Sequence, residues 1–178
     1  VDALPLGDGL CIYKERAMYI MTLGGEFYWN FARLPGDEGS LARGCIAAIP
    51  SGHVALTAGD VVFHSGQGPR SVINARMRRT LFNTIDATNY KRSFVVSNPG
   101  RNEVWVCIPV AGDSVPTIAY IWNYTDDTWT TRQLNSVTYG AVGQISATAA
   151  GTWATTTGMW DDSVDAWNTS QYPPTAAR

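Results

Sequence analysis

The stretch "YIWNYTDDTWTTRQL", residues 120–134, reads as two β-strands joined by a short polar turn. The residues before the turn follow the two-residue period of a strand. Trp122 precedes the turn and Trp129 follows it, so the sequence predicts a hairpin whose two indoles stack across the strands. The side chains of Asp126 and Asp127 are expected to hydrogen-bond the amides of the turn.

A second stretch, "GMWDDSVDAWNT" at residues 158–169, has the same spacing of aromatic and acidic residues. Trp160 corresponds to Trp122, Asp165 to Asp127 and Trp167 to Trp129, each at an offset of 38 residues. That offset is close to the roughly 40 to 45 residues of one four-stranded propeller blade. A sheet of this kind has an apolar face that only a neighbouring sheet covers, which predicts several sheets in series.

Strand-like runs fall into three groups, at residues 10–34, 45–73 and 92–134, each interrupted by Gly, Pro, Asn and Asp. In the third group, "NPGRN" is a strong hairpin signal, because Pro and Gly preset the dihedral angles of a turn. The sequence therefore predicts a mainly β fold, with antiparallel meander sheets of a β-propeller that is partial or part of a larger chain. Residues 141–178, rich in Thr, Ala and Gly, are expected to form a further blade or a connecting segment.

One segment has a helical rather than a strand-like period. Ile73, Met77, Leu81 and Ile85 recur every four residues and form one apolar stripe. The sequence predicts a single α-helix near residues 73–88, inserted between the second and third groups of strands.

Composition limits the function classes. The net charge of −2 gives no global attraction to nucleic acid or to an anionic membrane. No apolar run approaches the ~20 residues that span a bilayer, and no signal peptide is apparent. The three cysteines, Cys11, Cys45 and Cys107, lie far apart in apolar runs, which favours buried thiols in a reducing cytoplasm. The abrupt N-terminus without an initiator Met suggests a fragment or a processed chain.

Candidate catalytic and metal-binding residues are few. His53 and His64, with Asp60 and Cys45, are compatible with a metal site or a Cys/His nucleophile pair, but no familiar ligand spacing is present. Two ordinary histidines beside turns are the favoured interpretation. No catalytic residue, cofactor site or metal site is therefore predicted.

Two acidic pairs, Asp126–Asp127 and Asp161–Asp162, offer paired carboxylates or calcium ligands. Because they recur beside matching tryptophans, turn chemistry is the favoured interpretation. "TDDTWT" also resembles the Asp box of sialidase propellers, although the Gly of that motif is missing. The similarity indicates shared hairpin physics rather than glycosidase activity.

Basic residues concentrate between positions 70 and 92, where six basic residues and one acidic residue, Asp86, give a local net charge of +5. The six are Arg70, Arg76, Arg78, Arg79, Lys91 and Arg92. Such a cluster is able to contact nucleic acid phosphates or an acidic neighbouring subunit. A solvated helix face with local ion pairs is an equally weighted alternative.

The order of several segments resembles the tail nozzle (tail tubular protein B-like) proteins of short-tailed bacteriophages. The segments are "GDGLCIYKERAMYIM", "GSLARGCIAAIPSGHVALTAGDVVFHSG", "NARMRRTLFNTIDATNYKRSFVVSNPGRNEVWVCIP" and "YIWNYTDDTWTTRQL". The resemblance covers roughly residues 7–140, and no single piece of it is a catalytic signature.

The resemblance implies a structural β-propeller protein of the virion tail, made in the host bacterial cytoplasm and assembled as a homo-oligomeric ring, usually a hexamer. Such a ring extends the DNA ejection channel below the portal and adaptor proteins and carries tail fibres, and the genome passes without sequence recognition. In that setting the cluster around Arg76 and Arg79 bridges subunits or faces the channel, and the subunit contact is favoured. The alternative is a carbohydrate-binding or glycosidase-like receptor-recognition propeller, whose Trp and Asp side chains contact sugars.

Overall fold

The computed structural model describes residues 2–25 and 28–143, which form three four-stranded antiparallel sheets and one short α-helix. The predicted mainly β fold with antiparallel meanders is confirmed for this part of the chain. Apart from residues 141–143, the segment for which a further blade or a connection was predicted lies outside the described residues, as do Trp160 and Trp167.

Sheet 1 is built from the N-terminal strands in sequence order. Its strands are β1 (Asp2–Leu6), β2 (Gly9–Tyr13), β3 (Met18–Leu23) and β4 (Trp29–Arg33). The sequence did not predict β1, although Leu4 and Leu6 alternate with exposed residues along it. Gly7 has a φ of +56°, which permits the two-residue turn between β1 and β2.

Sheet 2 corresponds to the second predicted group of strands. Its strands are β5 (Ile46–Ile49), β6 (Gly52–Leu56), β7 (Val61–His64) and β8 (Pro69–Ser71), again in sequence order. Every residue of β6 is buried, because sheet 2 has packing partners on both faces. A Cβ at position 52 would collide with the carbonyl oxygen of His64, so only glycine fits at that position.

Sheet 3 corresponds to the third group. Its strands are β9 (Phe94–Asn98), β10 (Glu103–Ile108), β11 (Ile118–Asn123) and β12 (Thr128–Gln133). The predicted turn at "NPGRN" joins β9 to β10, where Pro99–Arg101 form a 3₁₀ turn and Asn102 adopts a left-handed φ of 57°. Asparagine tolerates that conformation better than most residues, which explains the choice at this position.

The helix α1 covers Ala75–Thr84 and is shorter than the predicted 73–88. The side chain of Asn74 caps its N-terminus by accepting a hydrogen bond from the amide of Met77 at 2.9 Å. The helix ends early because Ile85 is extended and forms a β-bridge with Val110. The predicted apolar stripe is nevertheless retained, since Ile73 and Leu81 are buried and Met77 and Ile85 pack against the same cluster.

The core lies between the sheets. One cluster joins sheet 1 to sheet 2, and a larger cluster joins sheet 2 to sheet 3 and α1. A third cluster on the far face of sheet 3 includes Leu134 and Val137 from the segment after β12. The three sheets therefore stack face to face.

The first strands of the three sheets are neighbours. β1 contacts β5, and β5 contacts β9. Two hydrogen bonds connect them through the segment before β5: the Gly44 amide donates to Asp2 Oδ2 at 2.8 Å, and the Val95 amide donates to the Gly44 carbonyl at 2.8 Å. The stack is thus joined along the first strand of each sheet.

Candidate functional site

The tryptophan hairpin forms as predicted between β11 and β12. Trp122 and Trp129 are cross-strand partners whose rings stack with centroids 6.3 Å apart and planes 20° apart. Trp122 is only 4% exposed, and Trp129 packs partly buried against the cluster between sheets 2 and 3. The indoles therefore serve as core, and the Trp122 ring in particular is closed to a ligand.

The hydrogen bonds of this hairpin differ from the prediction for its acidic residues. Asn123, rather than either Asp, caps the turn, because its Oδ1 accepts from the amides of Thr125 and Asp126. Asp127 instead accepts from the Trp122 Nε1–H at 2.9 Å. The Trp129 indole donates to the carbonyl of Val72 at 3.0 Å, which ties the hairpin to the end of sheet 2.

His53 and His64 are cross-strand partners on β6 and β7, and each is 1% exposed. Tyr13 of β2 lies against both imidazoles, with ring centroids 5.9 Å away in each case. Nε2 of His53 lies 2.8 Å from the Pro5 carbonyl and must donate to it, so Nδ1 accepts from the Tyr13 hydroxyl at 2.9 Å. Neither nitrogen of His64 has a hydrogen-bond partner among the described residues.

Burial controls the protonation of this cluster. Desolvation lowers the pKa of His53, and desolvation together with the neighbouring His53 lowers the pKa of His64 to about 4. Both imidazoles are therefore neutral at neutral pH, and they join sheet 2 to sheet 1 as buried, uncharged groups.

The structure does not assemble the other members of the proposed Cys/His or metal site. Cys45 belongs to the cluster on the opposite face of sheet 2, and burial raises the pKa of its thiol to about 12. Asp60 directly precedes β7, whereas His64 is the last residue of that strand. Asp60 accepts hydrogen bonds from Ser71 and Arg78. Within residues 2–25 and 28–143, no three His, Cys, Asp or Glu side chains are grouped to hold a metal ion.

The six basic residues of the predicted cluster do not share one environment. Arg78 forms an ion pair with Asp60 at 3.0 Å, and Arg92 donates to the Ser114 carbonyl at 3.0 Å. The Arg70 guanidinium lies 5.7 Å from the centroid of the Phe63 ring, at the edge strand of sheet 2.

The remaining three cations lie at the surface. Lys91 Nζ is 5.9 Å from the centroid of the Tyr90 ring. Arg76 and Arg79 are exposed on α1. The helix therefore presents two outward guanidinium groups, while Arg78 is held by sheet 2.

The basic residues of the cluster also line two different surface cavities. The first, here called the helix groove, is about 680 Å³, and its lining includes the apolar Leu41, Phe82, Ile85 and Tyr90 and the charged Arg78, Arg79 and Asp86. The second is about 740 Å³ and includes Lys91, Arg92 and Arg43, a cation that the sequence did not connect with the others. Arg43 precedes β5 by only three residues, so its position beside β9 follows from the stacking of sheets 2 and 3.

An apolar surface on sheet 1 was also missed. Four large side chains at its edge are more than half exposed: Leu23 at 61%, Tyr28 at 64%, Trp29 at 58% and Phe31 at 58%. We call these residues the β4 patch. Trp29 and Phe31 pair with Leu23 and Met21 on the face of sheet 1 that points away from sheet 2.

Comparison of the chain with models of protein families and with curated proteins finds no match. Among the described residues, the one α-helix, with ten residues, is too short to cross a membrane.

Proposed function

We propose that the chain is a structural protein of a bacteriophage tail, part of a nozzle ring that extends the DNA ejection channel and contacts adaptor and fibre proteins. In this proposal the three sheets are consecutive blades of a β-propeller. The proposal rests on the order of sequence segments that resembles tail nozzle proteins and on the way the sheets stack.

The observation that carries the proposal is the arrangement of three consecutive four-stranded meanders, face to face, with their first strands in contact. Propeller blades are four-stranded antiparallel sheets arranged radially around a central axis. Contacts from β1 to β5 and from β5 to β9 are what successive blades would make along such an axis. A stack of this kind provides rigidity and surface, which suit a conduit component.

The basic residues support a contact between subunits more than a lining of the channel. Arg78 and Arg92 are already held by Asp60 and by the Ser114 carbonyl. Phosphate contacts strengthen binding with each added cation, so a ring of exposed arginines facing DNA would retard its passage. Arg76 and Arg79 at an interface between copies avoid that difficulty.

The alternative, a sugar-binding or glycosidase-like module, assigned the ligand contacts to Trp122 and Trp129. Trp122 is 4% exposed, and its indole N–H is already bonded to Asp127. The indole N–H of Trp129 is bonded to the Val72 carbonyl. Trp122 is therefore too buried to stack on a sugar and the Trp129 N–H is not available to hydrogen-bond one, so the structural function is preferred.

Negative-stain imaging and native mass spectrometry of the purified chain test the proposal. A closed ring with a central opening is expected, and oligosaccharides should leave the tryptophan fluorescence unchanged. A monomer whose fluorescence responds to an oligosaccharide would overturn the structural assignment and favour the carbohydrate-binding one.

A further inference from the structure

The second surface cavity, here called the Arg43 cavity, contains three basic residues from two segments of the chain. Arg43 comes from the segment before β5, and Lys91 and Arg92 come from the 3₁₀ turn before β9. All three are exposed. The ion pairs formed among the described residues involve Arg33 and Arg78 instead, so no described carboxylate neutralises the cations of this cavity.

The acidic residue in the lining, Asp2, is engaged with the backbone. Its Oδ1 accepts from the Ala3 amide at 3.1 Å, and its Oδ2 accepts from the Gly44 amide at 2.8 Å. The Arg92 guanidinium donates to the Ser114 carbonyl at 3.0 Å, which positions the group and leaves its charge in place. Three basic residues and one acidic residue give the lining a net charge of +2, which favours an oxyanion.

Ser93 also lines the Arg43 cavity and has an unsatisfied hydroxyl group. The residue is 1% exposed, and its Oγ has no hydrogen-bond partner among the described residues. Buried hydroxyls normally have a partner, so an unpartnered one indicates a place for a further polar group. A phosphate oxygen is an acceptor of the kind that this hydroxyl lacks.

One wall of the Arg43 cavity is aromatic. Tyr139 is 71% exposed, and its ring lies against that of Phe94 with centroids 5.6 Å apart. The segment that leads to Tyr139 is held in place, since the Val137 amide donates to the Pro116 carbonyl at 3.0 Å. An exposed tyrosine ring at a fixed position offers a face on which a planar base stacks.

The size of the Arg43 cavity favours one nucleotide over a nucleic acid strand. Its volume of about 740 Å³ lies within the range of about 300 to 1,000 Å³ that is usual for sites of small molecules. A site for a strand is a groove with aromatic platforms for successive bases. Here the aromatic residues of the lining are a single contacting pair, and the exposed arginines of α1 lie outside the cavity.

We propose that the Arg43 cavity binds a free nucleoside diphosphate. Arg43 and Arg92 hold the phosphates, Lys91 adds a third positive charge, and the base stacks on the Tyr139 ring. Guanidinium groups suit this role because their N–H donors match the geometry of phosphate oxygens. The site goes beyond the proposed structural function and does not depend on the assembly of a ring.

The test is isothermal titration calorimetry of the full chain with ADP, with pyrophosphate and with a single-stranded oligonucleotide. Arg43→Gln removes a charge from the cavity, and Arg101→Gln makes the same change in the turn before β10. Tyr139→Ala removes the exposed ring, and Tyr28→Ala makes the same change at a residue of sheet 1 that is 64% exposed. Thermal unfolding checks that each variant folds like the wild type.

Arg43→Gln is expected to weaken the binding of both ADP and pyrophosphate by about tenfold. Tyr139→Ala should weaken ADP binding by about tenfold and leave pyrophosphate binding unchanged, because only ADP has a base to stack. Both control variants should bind like the wild type.

Absence of ADP binding to the wild-type chain overturns the proposal. ADP binding that Tyr139→Ala leaves unchanged also overturns it, since the cavity then selects an anion and not a nucleotide. An oligonucleotide that binds more tightly than ADP overturns it in favour of a nucleic acid strand. These titrations do not measure oligomer size, so the proposed ring is tested separately.

Discussion

Trp122 and Trp129 combine burial with hydrogen bonding. The two indoles stack on each other. The Trp122 N–H donates to the carboxylate of Asp127 in the turn, and the Trp129 N–H donates to the backbone carbonyl of Val72. Stacked aromatic pairs contribute ~0.5 to 1.5 kcal/mol beyond the burial of their surface. The pair therefore holds the hairpin together and fixes it to the next sheet.

Replacing Trp122 with alanine is expected to lower the free energy of unfolding by ~3 to 5 kcal/mol, because it empties a buried site of the main core. Asp127→Ala should cost less, about 1 to 3 kcal/mol, because it leaves the buried Trp122 N–H without its acceptor and puts alanine at a left-handed φ of 51°. Urea denaturation measures both. Equal losses for the two variants would show that the carboxylate, and not the buried ring, carries the stability of the hairpin.

His64 makes stability depend on pH. Its pKa falls from the ordinary 6.5 to about 4 in the folded chain, so the folded state binds fewer protons than the unfolded state between those values. The free energy of unfolding should be flat above pH 7 and fall as the pH drops from 6.5 to 4, by ~3 kcal/mol at ~1.4 kcal/mol per pKa unit.

The variant His64→Leu checks the source of this dependence, because leucine fills a similar volume without a titrating group. Its free energy of unfolding should fall less steeply in the same interval. Some slope should remain, since His53 is also buried with a lowered pKa. An unchanged slope would mean that His64 titrates normally in the folded state.

At the level of elements, hairpins and the helical stripe were readable from the sequence because short-range patterns determine them. The turn at "NPGRN" and the Trp122 hairpin depend on residues within the turn itself. The end of α1 depends on a distant partner. Ile85 leaves the helix to pair with Val110, and Asp86 accepts hydrogen bonds from the amides of Thr88 and Gly112. The periodicity of the local sequence does not show whether Ile85 continues the helix or pairs with a distant strand residue.

The start of α1 offers a direct test of its capping. Asn74→Ala should lower the free energy of unfolding by about 1 kcal/mol, because the amide of Met77 loses its acceptor. Asn83→Ala is the matched control, an exposed asparagine inside the same helix where alanine is the better helix former. Thermal or urea unfolding compares the two. A destabilisation of equal size in Asn83→Ala would remove the cap as the cause.

The candidate site was only partly predictable for a related reason. Sequence proximity grouped the six cations, but the ion pair of Arg78 with Asp60 and the approach of Arg43 to Lys91 arise from the packing of separate elements. The apolar character of β4 was visible in the sequence. Its exposure was not, because alternation does not reveal whether the outer face of a sheet has a partner.

At the level of the whole molecule, each of the three hydrophobic clusters contains one cysteine. Cys11 lies between sheets 1 and 2, Cys45 between sheets 2 and 3, and Cys107 on the outer face of sheet 3. All three are free thiols, at most 2% exposed, and burial raises the pKa of each. The reactivity of each thiol therefore reports how readily its own cluster opens.

Alkylation followed by mass spectrometry should find all three thiols slow to react in the native chain. In urea below the unfolding transition, Cys11 and Cys107 are expected to react before Cys45, because Cys45 lies in the largest cluster, covered by two sheets and α1. Identical rates for the three would indicate that the stack opens only as one cooperative unit.

The cluster between sheets 1 and 2 takes its residues from both sheets, and this affects the chain while it is being synthesised on the ribosome. Cys11, Tyr13 and Met18 can be buried only when Ile46, Ala55 and Val62 are available to cover them. A nascent chain that has emerged only as far as β4 therefore exposes apolar side chains on both faces of its first sheet. Translational pausing at that stage would favour capture by a chaperone or aggregation with other nascent chains, and rapid passage through codons 35–62 would protect the growing polypeptide.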